Sequence, residues 1–201
     1  MMVLESPPKI EHFRKMIAYE HKVYGGEYMP FNRSLEILRK NPYMYIVLMD
    51  GNEVAGLVSV YTPNLKGADI ILSRKEVEKR ARAKYYLGPK EMHKTKLLYF
   101  AGITAVGSGE KRKNRAAALM YGRASLIEKR IRLPKFAYAI GATAAGVKLI
   151  KSYGGVQIGY ASAEKAEDPF FRIRITKNWC RKVKARALKR VMPEMRLAQI
   201  K

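Results

Sequence analysis

The sequence has little of what a secreted, disulfide-linked or membrane-spanning protein needs. Cys180 is the single cysteine among 201 residues, which excludes an internal disulfide and any zinc or iron–sulfur site built from several cysteines. No window approaches eighteen uninterrupted apolar residues, and the N-terminal residues lack the apolar core of a signal peptide. We therefore expect an intracellular, cytoplasmic protein that does not span a membrane.

Histidine, glycine and proline are also scarce. The three histidines, His12, His21 and His93, are too far apart in the sequence to suggest a metal triad, so no metal site is expected. Only 15 glycines and 9 prolines accompany 48% hydrophobic residues, which is the composition of a folded chain and not of a low-complexity one. This length predicts one domain with an appendage.

Acidic residues are few, and the basic excess is clustered. The chain has 17 Asp and Glu against 40 Lys and Arg, which gives a net charge of +23. Residues 74–96, 110–132 and 171–201 carry +6, +6 and +10 of this charge. Such clusters favour an anionic partner, and nucleic acid, a phosphorylated cofactor and an anionic membrane surface all qualify. The alternative is a solvated basic face, as in a ribosomal-type protein.

Hydrophobic periodicity divides the first half of the chain into helices and a hairpin. It predicts helices over 8–24 and 34–41, and then a hairpin over 44–61 that turns at Asp50 and Gly51. Ser73 and Glu76 have the spacing of a capping box. This spacing predicts a charged helix over 73–87, within a basic insert at about 66–95. Residues 96–106 are mostly apolar and predict one long central strand.

The second half alternates helices and strands. The pattern predicts an alanine-rich helix over about 114–132, a strand over 135–140, a helix that Thr143 caps and Gly154-Gly155 end, and strands over 156–161 and 170–175. Residues 178–201 show no clear hydrophobic stripe, so we expect a basic helical extension behind a domain over 1–177. The element order predicts an α+β (mixed α/β) fold with a mixed, mostly antiparallel sheet and flanking helices.

The loop after the central strand carries the strongest functional signal. Gly107, Ser108 and Gly109 permit a tight turn into a helix whose first amides, at about 111–116, favour a phosphate. The countercharges are Lys111, Arg112, Lys113 and Arg115. The loop is not a Walker A loop, because the closing Gly-Lys-Ser/Thr is absent, and it is not a dinucleotide GxGxxG fingerprint. It predicts a pyrophosphate site, with a solvated basic helix start as the alternative.

The same loop resembles the signature of the GCN5-related N-acetyltransferase superfamily, V-x-x-x-x-[RQ]-x-x-G-x-[GA]. Val106, Lys111, Asn114 and Ala116 occupy its positions, with Lys in place of Arg or Gln and Asn in place of the first Gly. Further likeness, in 50–60 and 143–154, extends the resemblance over about 8–175. It implies a splayed pair of parallel strands, 96–106 beside 135–140, with the helix from about 114 starting at the mouth of the V.

The resemblance implies an N-acyltransferase that uses acetyl-CoA or another acyl-CoA. The implied cofactor-binding residues are Ala105, Val106, Lys111, Arg112, Lys113, Asn114, Arg115, Ala116 and Thr143. An N–H group near Val106 is expected to polarise the acyl carbonyl. Acylation of an amine also needs routes for protons, and the candidates are Tyr138, Tyr153 and Thr104. Each tyrosine has an alternative role as a core or groove residue.

Within this superfamily the chain is similar to the phage Mom-like group, which modifies adenine in DNA. The similar parts are Glu20-His21 with Tyr24, Gly56-Leu57-Val58-Ser59 with Thr62-Pro63, Lys113-Asn114, and Ala137-Tyr138-Ala139 with Gly159. Ile140 stands where that group has Asp. The resemblance implies a DNA base as the acceptor.

Charge also points to the class of acceptor. A cofactor accounts for one basic segment, and the other segments favour nucleic acid, DNA in preference to RNA, or something bound to it. The side chains expected to contact it are Arg80, Arg82, Lys84, Arg181, Lys182, Lys184, Arg186, Lys189 and Arg190. Phe171, Trp179 and the Tyr85-Tyr86 pair lie among these cations and either stack on bases or anchor their segments to the core.

Two other functions stay open. The replaced signature residues fit a non-catalytic nucleic-acid-binding protein on a degenerate acetyltransferase fold. The chain also fits an acyltransferase for a small amine or a protein lysine, with the basic tail as an anchor to a membrane or a partner. Binding of acetyl-CoA separates an enzyme from the non-catalytic protein.

Overall fold

The computed structural model describes residues 1–24, 29–74, 77–161 and 168–191. Its strands are β1 (Met2–Glu5), β2 (Tyr45–Asp50), β3 (Glu53–Ser59), β4 (Leu97–Phe100), β5 (Ile103–Ala105), β6 (Lys135–Ile140), β7 (Val156–Tyr160) and β8 (Pro169–Ile175). Its α-helices are α1 (Ile10–Tyr24), α2 (Phe31–Lys40), α3 (Leu65–Leu72), α4 (Val77–Arg80), α5 (Gly109–Arg130), α6 (Ala144–Ser152) and α7 (Lys177–Val191). No helix in the described part of the chain is long and apolar enough to cross a membrane. The predicted mixed α+β class is confirmed.

The first sheet is antiparallel and has the strand order β1-β2-β3-β5. Its centre is the predicted hairpin, in which β2 pairs with β3 and Gly51 has a φ of 62°, which glycine adopts readily. The pattern of the sequence does not predict the strand over Met2–Glu5. Met2 and Leu4 are buried on alternate positions there, and β1 pairs along β2.

The second sheet has the order β4-β6-β8-β7, in which only β4 and β6 are parallel. The predicted neighbours 96–106 and 135–140 are thus confirmed, as is the final strand pair. One continuous strand over 96–106 is wrong, because the chain breaks at Ala101 and Gly102 and passes from the second sheet to the first. Two hydrogen bonds of 3.2 Å join Gly102 to Ser59 and hold the break.

Each face of the sheets has its own apolar core. Helices α5 and α7 and residues of α6 pack on one face. Helices α1 and α2 and the insert pack on the other, which we call the α1 face. Phe13 and Ile17 of α1 are buried at helical spacing, whereas Ile10, the first residue of the helix, is half exposed. The side chain of Tyr24 lies outside the described residues.

Helix α7 belongs to the core, which corrects the expected extension without a hydrophobic stripe. Cys180, Val183, Ala187 and Val191 are at most 3% exposed and follow one another at helical spacings. They face the core beneath α5, along which α7 packs. Two of the four are small residues, and the surrounding Lys and Arg conceal the stripe in the sequence. Residues 192–201 of the predicted extension lie outside the described residues.

The insert is not one charged helix, so the prediction over 73–87 is wrong. Ser73 caps the end of α3, α4 spans only Val77–Arg80, and Glu76 of the predicted capping box lies outside the described residues. The Arg74 guanidinium lies 5.4 Å from the centre of the Phe170 ring and ties the insert to β8. The insert is anchored on the α1 face by the buried Ile71, Val77, Ala81 and Tyr86.

Candidate active site

The two sheets separate at the carboxyl ends of β4 and β6. β4 pairs with β6 as far as Phe100 and Ala139, after which the chain turns away and β5 joins β3 in the first sheet. The result is an opening between β5 and the end of β6, which we call the wedge. Ligands of open α/β sheets bind at this carboxyl edge. The predicted splayed pair is present, with a break in the chain at its apex.

A buried arginine holds the apex of the wedge. Arg123 of α5 donates from Nη2 to Gly102 O at 2.7 Å and to Ser59 O at 3.2 Å. Its guanidinium also lies 4.3 Å from the centre of the Phe100 ring. Burial lowers the pKa of Arg123 to about 9, so the group stays charged at neutral pH. The positive charge of Arg123 therefore strengthens the hydrogen bonds to the carbonyl groups at the strand break.

A backbone donor points from β5 into the wedge. The Val106 N–H donates to Ala55 O at 2.9 Å, so the sheet uses it. Successive N–H groups of an antiparallel strand point to opposite edges, and the Ala105 N–H therefore points away from β3. The expected position for a donor to an acyl carbonyl moves from Val106 to Ala105.

Helix α5 begins immediately after this strand, earlier than the predicted start near 114. Gly107 and Gly109 have φ values of 104° and 53°, which glycine reaches readily, and they turn the chain into the helix. The first intrahelical hydrogen bond runs from the Arg112 N–H to Ser108 O at 3.1 Å, and the Ser108 side chain makes no cap. The N–H groups of 109–111 precede that bond and point out of the helix start.

Basic side chains surround this helix start. Lys111 and Arg112 are exposed, while Lys113 Nζ lies 2.5 Å from Glu110 Oε1. Hydrogen bonds from Lys113 and Arg190 hold the pKa of the Glu110 carboxyl below its usual range. The ionised Glu110 offsets part of the positive charge, so Lys111 and Arg112 are the better candidates for a phosphate.

Arg115 does not provide the countercharge that the sequence suggested. It is 3% exposed, and its Nη2 and Nε donate to Asp50 Oδ2 at 2.7 and 3.1 Å. Its Nη1 donates to Val106 O at 3.1 Å. Arg115 therefore fastens α5 to the hairpin turn and to the end of β5, and the hydrogen bond lowers the pKa of Asp50.

A buried carboxylate lies next to β5, and no motif in the sequence indicates a chemical role for it. Thr104 Oγ1 donates to Glu20 Oε1 at 2.5 Å, and the two residues are 5% and 1% exposed. Glu20 belongs to α1, so the pair lies on the α1 face. The two residues are 84 positions apart, and no local motif signals their contact.

The two tyrosine candidates lie on opposite faces of the sheets. Tyr138 packs on the α1 face, where its ring stacks on Phe170 with centres 5.7 Å apart. Tyr153 packs on the α5 side, with the Arg186 guanidinium 5.1 Å from its ring centre. Burial raises the pKa of Tyr153. Tyr138 thus shares a face with Glu20, and Tyr153 does not.

The remaining cofactor candidates have structural roles. Thr143 Oγ1 accepts a hydrogen bond of 3.0 Å from the Gly146 N–H, which confirms the predicted cap of α6. Ala116 packs partly buried against the core below the start of α5. Their contacts with a cofactor stay predictions.

Cations of the insert converge on a groove. The groove has a volume of about 560 Å³ and is lined by Lys66, Asp69, Ile70, Ser73, Arg80, Arg82 and Tyr85. We call it the insert groove. Lys84 Nζ lies 5.5 Å from the centre of the Tyr85 ring, so the three predicted nucleic-acid contacts of this segment lie together.

The predicted contacts on α7 divide into two sets. Lys184 bonds Glu128 of α5, Arg186 donates to Ser152 O at 3.1 Å, and Arg190 donates from Nε to Asn114 Oδ1 at 3.1 Å and bonds Glu110. These three attach α7 to α5 and α6. Arg186 and Arg190 are nevertheless exposed at the surface, as are the members of the second set, Arg181, Lys182 and Lys189, which we call the exposed set. Only the second set is placed for an external anion without giving up contacts between helices.

The aromatic residues among these cations are mostly anchors. Phe171 is fully buried, and Trp179 Nε1 donates to Tyr153 O at 2.8 Å. Tyr86 is buried with its ring centre 5.0 Å from that of Tyr61. Tyr85, in contrast, lines the insert groove.

Metal and thiol chemistry find no support in the described ranges. Among those residues no group of three or more His, Cys, Asp or Glu is arranged to hold a metal ion. Cys180 is buried, and burial raises the pKa of its thiol to about 11. The thiolate is therefore scarce at neutral pH, which disfavours this cysteine as a nucleophile.

Comparison with known proteins identifies the fold. No family model and no curated protein match the sequence, but solved structures match the chain. Ard1 from Thermoplasma volcanium has a TM-score of 0.58 at 12% identity, covering 87% of this chain and 98% of that one. An agmatine N-acetyltransferase gives 0.56 at 10%, covering 87% and 100%. Arabidopsis thaliana Naa50, in complex with the bisubstrate analogue CoA-Ac-MVNAL, gives 0.51 at 9%, covering 85% and 96%. The chain therefore has the fold of the GCN5-related N-acetyltransferases.

Proposed function

We propose that the chain is an acyl-CoA-dependent N-acyltransferase. The observation that carries the proposal is the direct connection of the wedge to an uncapped helix start. The Ala105 N–H and the N–H groups of 109–111 lie along one short stretch of chain. The first suits an acyl carbonyl and the others suit a pyrophosphate. Acetyl-CoA and other acyl-CoA molecules carry both groups.

The residues of the helix start fit the phosphates of this cofactor. Lys111 and Arg112 are exposed beside the outward N–H groups. The cofactor, when bound, supplies an acyl group activated as a thioester. The chain's own contribution is to hold the phosphates and to orient the carbonyl toward the Ala105 N–H, which stabilises negative charge as it develops on the oxygen.

Glu20 and Thr104 provide a route for the proton of the acceptor amine. An amine must lose a proton as it is acylated. Thr104 Oγ1 accepts that proton while its own hydrogen passes to Glu20 Oε1, to which it is already hydrogen-bonded at 2.5 Å. Tyr138 lies on the same face and is the better placed tyrosine for protonating the departing thiolate. Tyr153 is the second choice for that role.

The first candidate acceptor is nucleic acid, DNA in preference to RNA, or a molecule bound to it. The insert groove is attached to the α1 face, as are Glu20 and Tyr138. Its cations and the exposed set on α7 suit phosphates, whose neutralisation dominates nucleic-acid affinity. The likeness to the Mom-like group, which modifies adenine in DNA, agrees with this acceptor.

The second candidate acceptor is a small amine or a protein amine. Glu20 favours it, because a carboxylate beside the wedge attracts a cationic ammonium group. Agmatine and the peptide part of the bisubstrate analogue, named for two proteins of similar fold, belong to this chemical class.

An acyl-transfer assay with separate acceptors tests the proposal. The chain is incubated with acetyl-CoA and a mixed-sequence DNA oligonucleotide, agmatine or a lysine-containing peptide. Released thiol is measured, and the acceptor is analysed by mass spectrometry. We expect acetylation of the oligonucleotide, and loss of transfer in Glu20→Gln but not in Glu36→Gln, an exposed carboxylate on α2. Transfer only to agmatine or peptide selects the second candidate, and no thiol release with any acceptor contradicts the enzyme.

A further inference from the structure

The insert groove is a built feature and not a gap between mobile side chains. Asn64 caps α3 through its Oδ1, which accepts from the Gly67 N–H at 3.0 Å. The same residue donates from its backbone N–H to Tyr85 O at 2.9 Å and from Nδ2 to Lys84 O at 2.8 Å. One asparagine therefore fastens the first turn of α3 to the segment that carries the opposite wall.

Close packing reinforces this attachment. A Cβ on Gly67 would lie 2.3 Å from Tyr85 O, so the two walls of the groove touch through backbone at this point. Tyr86, the next residue, is buried against Tyr61. These contacts fix the backbone of Tyr85, whose ring lines the groove.

The groove combines one aromatic ring with several cations. Lys66 and Lys84 place Nζ at 5.8 and 5.5 Å from the centre of the Tyr85 ring. Arg80 donates to Ser73 Oγ at 3.3 Å and Arg82 donates to Ala81 O at 2.8 Å, and these bonds orient the two guanidinium groups. Among the residues that the structure describes there, the lining has one carboxylate, Asp69, against Lys66, Arg80 and Arg82. The described lining is therefore positively charged.

This combination matches the chemistry of a single nucleic-acid strand. Unpaired bases stack on aromatic side chains, while Lys and Arg neutralise the phosphates that follow the strand. A duplex keeps its bases stacked inside and offers no face to Tyr85. A bilayer is flat and does not enter a concave groove. We propose that the insert groove binds single-stranded nucleic acid, with a base on Tyr85 and phosphates at Lys66, Arg80 and Arg82.

The inference deepens the proposed function, on which it rests for the class of acceptor. The groove sits in the insert that covers the α1 face, the face of Glu20 and Tyr138. A strand bound there is held near the proposed acceptor side of the wedge, away from the α5 side. The groove thus acts as a docking site that raises the local concentration of the acceptor.

Fluorescence anisotropy with a fluorescein-labelled dT12 oligonucleotide tests the inference on the full chain. Tyr85→Leu removes the ring, and we expect about tenfold weaker binding, whereas Tyr85→Phe keeps the ring and binds as the original chain does. Arg80→Gln with Arg82→Gln should lower the slope of log affinity against log salt by about 1.4, because each single-strand phosphate contact contributes about 0.7.

A charge-matched control separates the groove from general attraction to a basic protein. Lys148→Gln with Lys151→Gln removes the same charge from exposed positions of α6, which packs on the other face. We expect a change of less than about threefold for this pair. Equal losses for the two charge pairs, or Tyr85→Leu that binds as well as Tyr85→Phe at equal thermal stability, would overturn the inference. Tighter binding of a duplex, or binding of phosphatidylserine vesicles with none of dT12, would do so as well.

Calorimetry with acetyl-CoA distinguishes a failure of this inference from a failure of the proposed function. Tyr85→Leu should bind acetyl-CoA as the original chain does, because the groove and the start of α5 lie apart in the fold. If the original chain binds dT12 weakly but binds acetyl-CoA, the proposal for the groove is overturned and the proposed enzyme is not. Strong dT12 binding at Tyr85 without acetyl-CoA binding supports the groove and contradicts the enzyme.

Discussion

At the residue scale, buried charged groups fix the edge of the wedge. Arg115 joins α5 to Asp50 in the hairpin turn and to the carbonyl of Val106. Asp50 is only partly buried, but its removal is costly because the buried Arg115 charge keeps its desolvation penalty. The end of β5, where we propose that the cofactor binds, therefore depends on a carboxylate in a distant turn.

Asp50→Asn tests this dependence. We expect a loss of about 2 kcal/mol in the free energy of unfolding at pH 7, because a charge-assisted hydrogen bond becomes a neutral one. The pKa of Asp50 is lowered in the folded state, so its stabilisation is complete above the unfolded pKa, about 3.9, and is lost as the pH falls through the folded pKa. Urea unfolding at pH 7 and pH 3 measures the loss of stability and its dependence on pH.

The difference between the original chain and Asp50→Asn should therefore shrink as the pH falls. Asp69→Asn, an exposed carboxylate on α3, is the control and should change stability by less than about 0.5 kcal/mol. If the two proteins differ in their free energy of unfolding by the same amount at both pH values, Arg115 does not act through the charge of Asp50.

Thr104→Val tests the proton route. The variant keeps the shape of the side chain but removes the hydroxyl that donates to Glu20. We expect kcat to fall by about 100-fold, the lower range for a lost acid–base group, with little change in the KM for acetyl-CoA. Thr104→Ser restores the hydroxyl and should recover most of kcat. Equal kcat values for the Val and Ser variants would exclude Thr104 from the reaction.

The sequence predicts the backbone part of this site better than its side chains. Gly107 and Gly109 predict the turn into α5, because few other residues adopt their positive φ values. The Thr104–Glu20 contact joins two elements that are distant in the sequence, and the partner of Arg115 lies in a hairpin turn. Such contacts depend on tertiary packing, which a local pattern does not contain.

At the element scale, α7 acts as part of the core and not as a detachable arm. Its small buried residues allow it to lie close along α5. Lys184 and Arg190 then bond side chains of α5 near its two ends. Deletion of residues 178–201 is therefore expected to destabilise the fold, because α7 supplies buried residues of the core.

Paired alanine substitutions test the packing of α7. Ala187 is fully buried and Ala185 is exposed two residues away. Ala187→Arg should lower the free energy of unfolding by at least about 2 kcal/mol, because it forces a charge and extra volume into the core. Ala185→Arg adds the same charge in water and should have little effect. Thermal unfolding by circular dichroism compares them, and equal melting temperatures contradict the packed helix.

Gly67→Ala tests the attachment of α3 to the second wall of the insert groove. An added Cβ meets the carbonyl oxygen of Tyr85, a backbone atom that cannot rotate away. We expect a loss of about 1–3 kcal/mol in the free energy of unfolding and weaker oligonucleotide binding. Gly88→Ala is the control, because open space surrounds Gly88. Stability equal to that of Gly88→Ala would show that the walls are not in contact.

Elements with strong periodicity or turn chemistry follow from the sequence, and others do not. The hairpin at Asp50-Gly51 and the cap at Thr143 are local signals and are confirmed. The break at Ala101 and Gly102 has no polar marker, because Arg123 and Ser59 stabilise it from other elements. The sequence does not predict α7 as a core helix, because its buried face is built partly from the small residues Cys180 and Ala187.

At the scale of the whole molecule, the two faces of the sheets have different roles in the proposal. The start of α5 and the wedge form the cofactor side, and the α1 face with the insert forms the acceptor side. The clustering of a net charge of +23 fits this division if the acceptor is nucleic acid, because acyl-CoA and nucleic acid each bring phosphates. Acyl transfer by this chain requires, above all, that acetyl-CoA binds at the start of α5.

Isothermal titration of the chain with acetyl-CoA tests that claim most directly. The account predicts saturable binding at a single site, weakened at least about tenfold by Lys111→Gln with Arg112→Gln at the start of α5. Arg39→Gln with Lys40→Gln removes the same charge from exposed positions of α2 and should leave the affinity within about twofold. Absence of saturable binding, or equal losses in the two paired variants, would contradict a cofactor site at the start of α5.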